Sequence, residues 1–182
     1  NDVEMETGTY CIVATGSSNV TVNRGRYTFS NSTGYPAIFA CPGGSVTLND
    51  VTATSTEAVL SVSNSTVVVN GGNFSTTGTK SCFVNSYANL TINKGTTTEG
   101  TFASGGASCI QNSWGRVEIN GGTITSDADC TIKNRGSLRM NGGTVATSNA
   151  EGTVIDCTGN FGDTWINGGT IKGGKDGIRL AD

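Results

Sequence analysis

The chain has 182 residues, 35% of them hydrophobic and 14% charged, with 27 glycines, six cysteines, no histidine and a formal net charge of −3. That length holds one domain with a substantial core, and the eleven scattered Lys and Arg make no basic field for a phosphate backbone, which argues against a nucleic-acid partner. No apolar run approaches the roughly 20 residues of a membrane-spanning helix, and the lack of histidine removes imidazole from every catalytic or metal-binding scheme.

The opening segment NDVEMETGTY is polar and acidic, carries no signal peptide and lacks an initiator Met, so the chain reads as a processed form or as a part of a longer protein. Downstream, one element recurs. Short alternating segments, VTV, VTL, VVV, LTI, VEI, LRM and TWI, run into Asn23, Asn49, Asn70, Asn93, Asn120, Asn141 and Asn167. The intervals between these anchors are 26, 21, 23, 27, 21 and 26 residues, so loops absorb length while the anchor is kept. A strand points successive side chains to opposite faces. Val20, Val46, Val67, Leu90, Val117 and Leu138, with Val22, Leu48, Val69, Ile92, Ile119, Met140 and Ile166, therefore face a core, and Thr21, Thr47, Val68, Thr91, Glu118, Arg139 and Trp165 face outward.

A second short strand follows each anchor, in TFS, TAT, NFS, TIT, TVA and TIK, and a third precedes the next, in AIFA, AVLS, CFV, CIQ, TIK and VID. Three short strands per unit of about two dozen residues, separated by Gly, Ser and Asn turns, predict one rung of a parallel β-helix. No segment keeps amphipathic helical spacing, and a β-sandwich needs no repeated anchor. The prediction is one all-β domain over residues 1–182, a solenoid of about seven rungs with uncapped ends that a continuation of the repeat or an oligomer would cover.

The anchors have a physical reason. Asparagine tolerates the left-handed turn that such a rung requires, and its amide carries both donor and acceptor. Each anchor can then bond to those above and below it in a buried ladder, with the glycine two positions later, at 25, 72, 95, 122, 143 and 169, supplying a bend. These rungs, with INGGT at 119–123 and 166–170, VNGGN at 69–73 and MNGGT at 140–144, resemble the right-handed parallel β-helix proteins of the pectin-lyase-like superfamily. They are similar in particular to the Asn-Gly-Gly-Thr repeats of secreted or surface-attached microbial proteins, adhesins among them. The resemblance covers residues 9–180 and implies the fold; the superfamily hosts lyases, hydrolases, tail fibres, adhesins and stalks, so it leaves activity open.

Cys11, Cys41, Cys82, Cys109, Cys130 and Cys157 fall near one place in successive third strands. Pairing neighbouring rungs gives Cys11–Cys41, Cys82–Cys109 and Cys130–Cys157, since adjacent rungs lie within the reach of a disulfide. A column of buried thiols is the alternative. Five N-x-S/T sequons begin at Asn19, Asn31, Asn64, Asn73 and Asn89.

Candidate carboxylates for a lyase or hydrolase are Glu118, Asp127, Asp129, Asp156 and Asp163, with Arg116, Lys133, Arg135 and Arg139 as bases, but no spacing gathers them into the pair that glycoside cleavage needs. No catalytic residue, cofactor or metal is therefore expected. A binding surface has better material: six residues before successive anchors stand Tyr87, Trp114, Arg135 and Phe161, with the outward Glu118, Arg139 and Trp165 close by. Aromatic faces one rung apart can stack on sugar rings, and Arg135 can add a cation–π contact. Outward threonines at 21, 47 and 91, and at 52, 123, 144 and 170, suggest ice binding as a weaker alternative. The expectation is a secreted or cell-surface adhesin-like module whose partner is a glycan or another surface ligand.

Overall fold

The computed structural model describes residues 3–7, 10–30, 39–159 and 162–180, and among them the fold is a parallel β-solenoid of about seven turns without a helix. One sheet collects the strands that follow the anchors. Its eight members, from Glu4–Thr7 through Arg26–Phe29, Thr52–Ser55, Asn73–Thr76, Thr101–Ser104, Thr123–Ser126 and Thr144–Thr147 to Thr170–Lys172, lie side by side in chain order. A twelve-stranded sheet carries the anchor strands and the third strands together. The predicted division into three strands holds where the chain breaks at a corner, as between Leu60–Ser63 and Thr66–Asn70 or between Phe83–Ser86 and Asn89–Asn93. In Phe39–Asn49, Ile110–Ile119 and Cys130–Met140 the two strands run through the corner as one.

The alternating pattern sorts the side chains as the sequence requires. Val46, Val67, Leu90, Val117 and Leu138 stand in one register and Leu48, Val69, Ile92, Ile119 and Met140 in the next, all buried. Ile166 continues the second register but is 39% exposed, because its strand pairs with Leu138–Met140 alone. Opposite them, Phe74 and Phe102 stack at 5.4 Å between centroids, and Phe83 closes on both from the third face. These rings interdigitate across the narrow interior, which is how a solenoid with few large residues reaches a dry core.

The anchor ladder is unbroken. Each amide nitrogen donates to the side-chain oxygen of the preceding anchor: Asn49 to Asn23 at 2.7 Å, Asn70 to Asn49 at 2.7 Å, Asn93 to Asn70 at 2.9 Å, Asn120 to Asn93 at 2.9 Å, Asn141 to Asn120 at 2.7 Å and Asn167 to Asn141 at 2.8 Å. These amides run along the rim, half-buried in the middle rungs and exposed towards both ends. The left-handed residue is not the anchor itself. In the early rungs it includes the next position, at Arg24 (φ 60°), Asp50 (φ 48°) and Gly71 (φ 68°); later it is the second glycine, at Gly122 and Gly143.

A second ladder, fully buried, was not anticipated. Asn85, Asn112 and Asn134 stand in one inward register on the third face and are 0%, 1% and 0% exposed. The amide of Asn85 donates to Asn112 at 2.8 Å and that of Asn112 to Asn134 at 2.7 Å, towards the C-terminal end and so opposite to the outer ladder. Val62 occupies the register position before Asn85, and the Asn85 side-chain oxygen is accordingly buried without a partner.

The cysteines do not share one column. Cys41 and Cys157 stand in the register of the inner asparagines, where the Asn134 amide approaches the Cys157 sulfur at 4.0 Å. Cys130 lies over Ser108, with Sγ to Oγ at 3.0 Å. The pairings Cys11–Cys41 and Cys130–Cys157 are ruled out by register: Ile12 meets Phe39, and Cys130 meets Thr153. Cys82 and Cys109 do face each other, one residue before the paired Phe83 and Ile110, and both are thiols here.

Candidate functional site

The corner between the third face and the anchor face needs a left-handed residue, and successive rungs supply it differently. Gly16 (φ 61°), Gly43 (φ 88°), Asn64 (φ 48°), Tyr87 (φ 51°) and Trp114 (φ 63°) hold it. Glycine enters that region freely and asparagine with little penalty, whereas a residue with a large side chain pays about 1–2 kcal/mol. Tyr87 and Trp114 thus sit where the backbone favours a small residue. The buried asparagines hold this corner shut, since Asn85 donates to the Ala88 carbonyl and Asn112 to the Gly115 carbonyl, both at 3.1 Å.

With the backbone fixed in this way, both rings project outward. Tyr87 is 62% and Trp114 50% exposed, and the rings are stacked with centroids 6.4 Å apart and planes at 10°. Beside them, between the same two rungs, opens a cleft of about 310 Å³ lined by Asn89, Leu90, Thr91, Arg116 and Glu118. Arg116 and Glu118 form an ion pair at 2.9 Å, and the second Glu118 oxygen accepts from the Asn141 amide at 3.1 Å. A two-ring apolar platform next to fixed donors and acceptors is the arrangement by which proteins grip a ring with polar substituents.

The other predicted site residues divide. Glu118, Arg139 and Trp165 do stand in one outward register, and the Arg139 guanidinium lies over the Trp165 ring at 5.3 Å. This cation–π contact lies on the outward face of the anchor strands, apart from the corner at which Arg135 was expected to make one. Arg135 is exposed but aligns with Ser113 rather than Trp114, because a single corner residue, Gly136, stands where the preceding rung has two, Trp114 and Gly115. Phe161 lies outside the described residues, as does the sequon at Asn31; the sequon asparagines 19, 64, 73 and 89 are all exposed. Asn85 and Asn112 have no place among the predicted site residues, and Arg116, expected only as a candidate base, lines the cleft instead. The signal for the two asparagines was present in the matching NSY and NSW at 85–87 and 112–114.

The long loop after Asn93 forms a separate polar feature. It folds back across two rungs so that Thr96 Oγ1 donates to Asp50 at 2.7 Å, while Thr98 receives the Gly72 N–H at 2.8 Å. Desolvation pushes the Asp50 carboxyl upward, but hydrogen bonds from Thr96, Thr97 and Thr98 outweigh it and hold the group below its ordinary value. Lys94 and Glu99 pair at 2.6 Å on the outside of this strap, which raises the Lys94 pKa.

On the eight-stranded sheet the predicted threonine column gains Thr101 and is interrupted by Arg26 and Asn73. Thr52, Asn73, Thr101, Thr123, Thr144 and Thr170 share one register, next to Thr54, Ser75, Ala103, Thr125 and Ala146. Among the described residues, no three His, Cys, Asp or Glu side chains converge as metal ligands would. Compared with protein families, with curated proteins and with solved structures, the chain matched nothing.

Proposed function

We propose that the protein is a secreted or cell-surface, adhesin-like binding module that takes a glycan on the lateral face formed by Tyr87, Trp114 and the neighbouring cleft. The observation that supports this is the placement of the pair. Two large aromatic side chains stand exposed, on consecutive rungs, at left-handed corners that Gly16, Gly43 and Asn64 fill at lower energetic cost. Backbone strain at an exposed position, with no core to fill, is a mark of a functional demand. The neighbouring cleft adds the hydrogen-bonding groups of Asn89, Thr91, Arg116 and Glu118, which suit the hydroxyls of a sugar.

A glycan array probed with the wild-type protein and with Trp114→Ala tests the reading. Selective binding by the wild type that the substitution weakens at least tenfold is the expected result; identical profiles would end it. A lyase or hydrolase reading has less support, because Glu118, the one candidate acid lining this cleft, is held as a carboxylate by its ion pair with Arg116. The single threonine-rich column through Thr101, Thr123, Thr144 and Thr170 favours one further reading, adsorption to ice. If that reading holds, wild-type protein suppresses ice recrystallisation and Thr123→Lys does not.

A further inference from the structure

Two successive rungs share one pattern, Cys-x-x-Asn-Ser-aromatic, as Cys82-Phe-Val-Asn-Ser-Tyr87 and Cys109-Ile-Gln-Asn-Ser-Trp114. The fold lays these copies over one another without a register shift: Phe83 meets Ile110, Asn85 meets Asn112 and Ser86 meets Ser113. The asparagines bond at 2.8 Å and the terminal rings stack. The leading cysteines complete the alignment, both wholly buried and in side-chain contact with each other. The neighbours of the other buried thiols differ: Cys41 reaches the Gly43 carbonyl at 2.9 Å, Cys130 reaches Ser108, and Cys157 reaches Thr164 at 3.5 Å. Adjacent strands are about 4.8 Å apart, inside the separation that a disulfide accepts.

We propose that Cys82 and Cys109 are a site of oxidative modification, at which a disulfide oxidant joins the two sulfurs across one rung step and staples together the rungs that carry Tyr87 and Trp114. The chemistry is thiol–disulfide exchange. One cysteine thiolate attacks oxidised glutathione, forming a mixed disulfide and releasing one glutathione thiolate. The second cysteine thiolate then attacks the protein sulfur of that mixed disulfide and displaces the other glutathione. One S–S bond forms in the protein and one breaks in the oxidant, and the two cysteine protons end on the two glutathione thiols.

Burial sets when this happens. In the closed fold the oxidant has no path to either sulfur, and burial, with the neighbouring Cys109, pushes the Cys82 thiol well above its usual range, so thiolate is scarce. Exchange therefore belongs to assembly, while these two rungs are still coming together. Once formed, the bond is protected from reductants by the same burial.

The test is oxidative refolding of the full chain. Urea-unfolded protein is refolded with either reduced or oxidised glutathione, then unfolded again in urea with iodoacetamide so that every remaining thiol is alkylated, and mapped by mass spectrometry. The expected product in the oxidised arm is one cross-link, Cys82–Cys109, with the other four cysteines alkylated and the urea midpoint above that of the reduced arm. In Cys82→Val/Cys109→Val the two arms unfold at one midpoint; valine already stands at this position one rung earlier, as Val59. If that variant does not fold, Cys109→Ala alone serves, because it must abolish the cross-link. A different cross-link in preference, or six alkylated cysteines after oxidative refolding, overturns the proposal.

Discussion

Asn112→Ala should destabilise the protein far more than Asn120→Ala, although the first removes one of three inner asparagines and the second breaks the repeat that dominates the sequence. Asn112 is 1% exposed, and its amide nitrogen serves Asn134 at 2.7 Å, Gly115 at 3.1 Å and Ser137 at 3.2 Å while its oxygen accepts from Asn85. Its removal leaves four groups, three of them buried and the Ser137 carbonyl half-buried, each short of a partner. Asn134 keeps the Gly136 N–H and Asn85 keeps the Ala88 and Arg116 carbonyls, so about two groups bear the full loss. At about 1–3 kcal/mol for each unsatisfied buried group, the substitution costs about 4 kcal/mol. Asn120 also loses two ladder bonds, at 2.9 and 2.7 Å, but it is exposed and water replaces them. Its cost is about 1 kcal/mol. The difference of about 3 kcal/mol corresponds to a melting temperature about 6–12 °C lower for Asn112→Ala. Far-UV circular dichroism melts and urea titrations of the two variants read this directly. Equal losses, or a larger one at Asn120, would refute the assignment of structural weight to the inner ladder.

Tyr87→Asn/Trp114→Asn should hold or slightly raise the melting temperature while abolishing glycan binding, because relief of left-handed strain, about 1–2 kcal/mol per residue, offsets a ring stack of about 0.5–1.5 kcal/mol; a fall of more than about 2 kcal/mol would make the pair a structural element instead. Asp50 should make the strap sensitive to acid. Its folded pKa is depressed, so its contribution is present above the unfolded carboxylate value near ~3.9 and fades as pH falls through the lower folded value. Hydrogen exchange of amides 94–100 should be faster in Asp50→Ala than in wild type at neutral pH, and equal rates would show that the strap is held by something else. Gly72→Ala should destabilise strongly, since φ is +95° and a Cβ there would lie 2.2 Å from the Val51 carbonyl oxygen; a melt within about 0.5 kcal/mol of wild type would contradict the close approach.

The parts of this architecture that repeat in every rung were legible in the sequence, and those that depend on a single residue more or less were not. The anchors at 23 to 167 could be read because each rung must offer the same amide at the same edge, or the ladder stops. The inner ladder is hidden in the sequence because its three members stand eight, eight and seven residues before their anchors, the last offset arising from the one-residue corner at Gly136. That same shortening moves Arg135 out of line with Trp114. The cysteines failed for a related reason. Loops of unequal length separate them, so a similar place within the sequence repeat puts Cys41, Cys82 and Cys130 in three different columns. The left-handed corner left a trace, in that Gly43, Asn64, Tyr87 and Trp114 share one distance from their anchors, but alternation alone does not say which turn residue bends backward.

The opposed directions of the two asparagine ladders bear on how long such a molecule can grow. Each row of amides is a chain of aligned dipoles that polarise one another, and a single row would build up charge separation along the axis with every turn added. Where a row pointing one way runs beside a row pointing the other, the two fields oppose each other. Over the rungs that contain both, duplication of a turn would add cohesion without electrifying the tips.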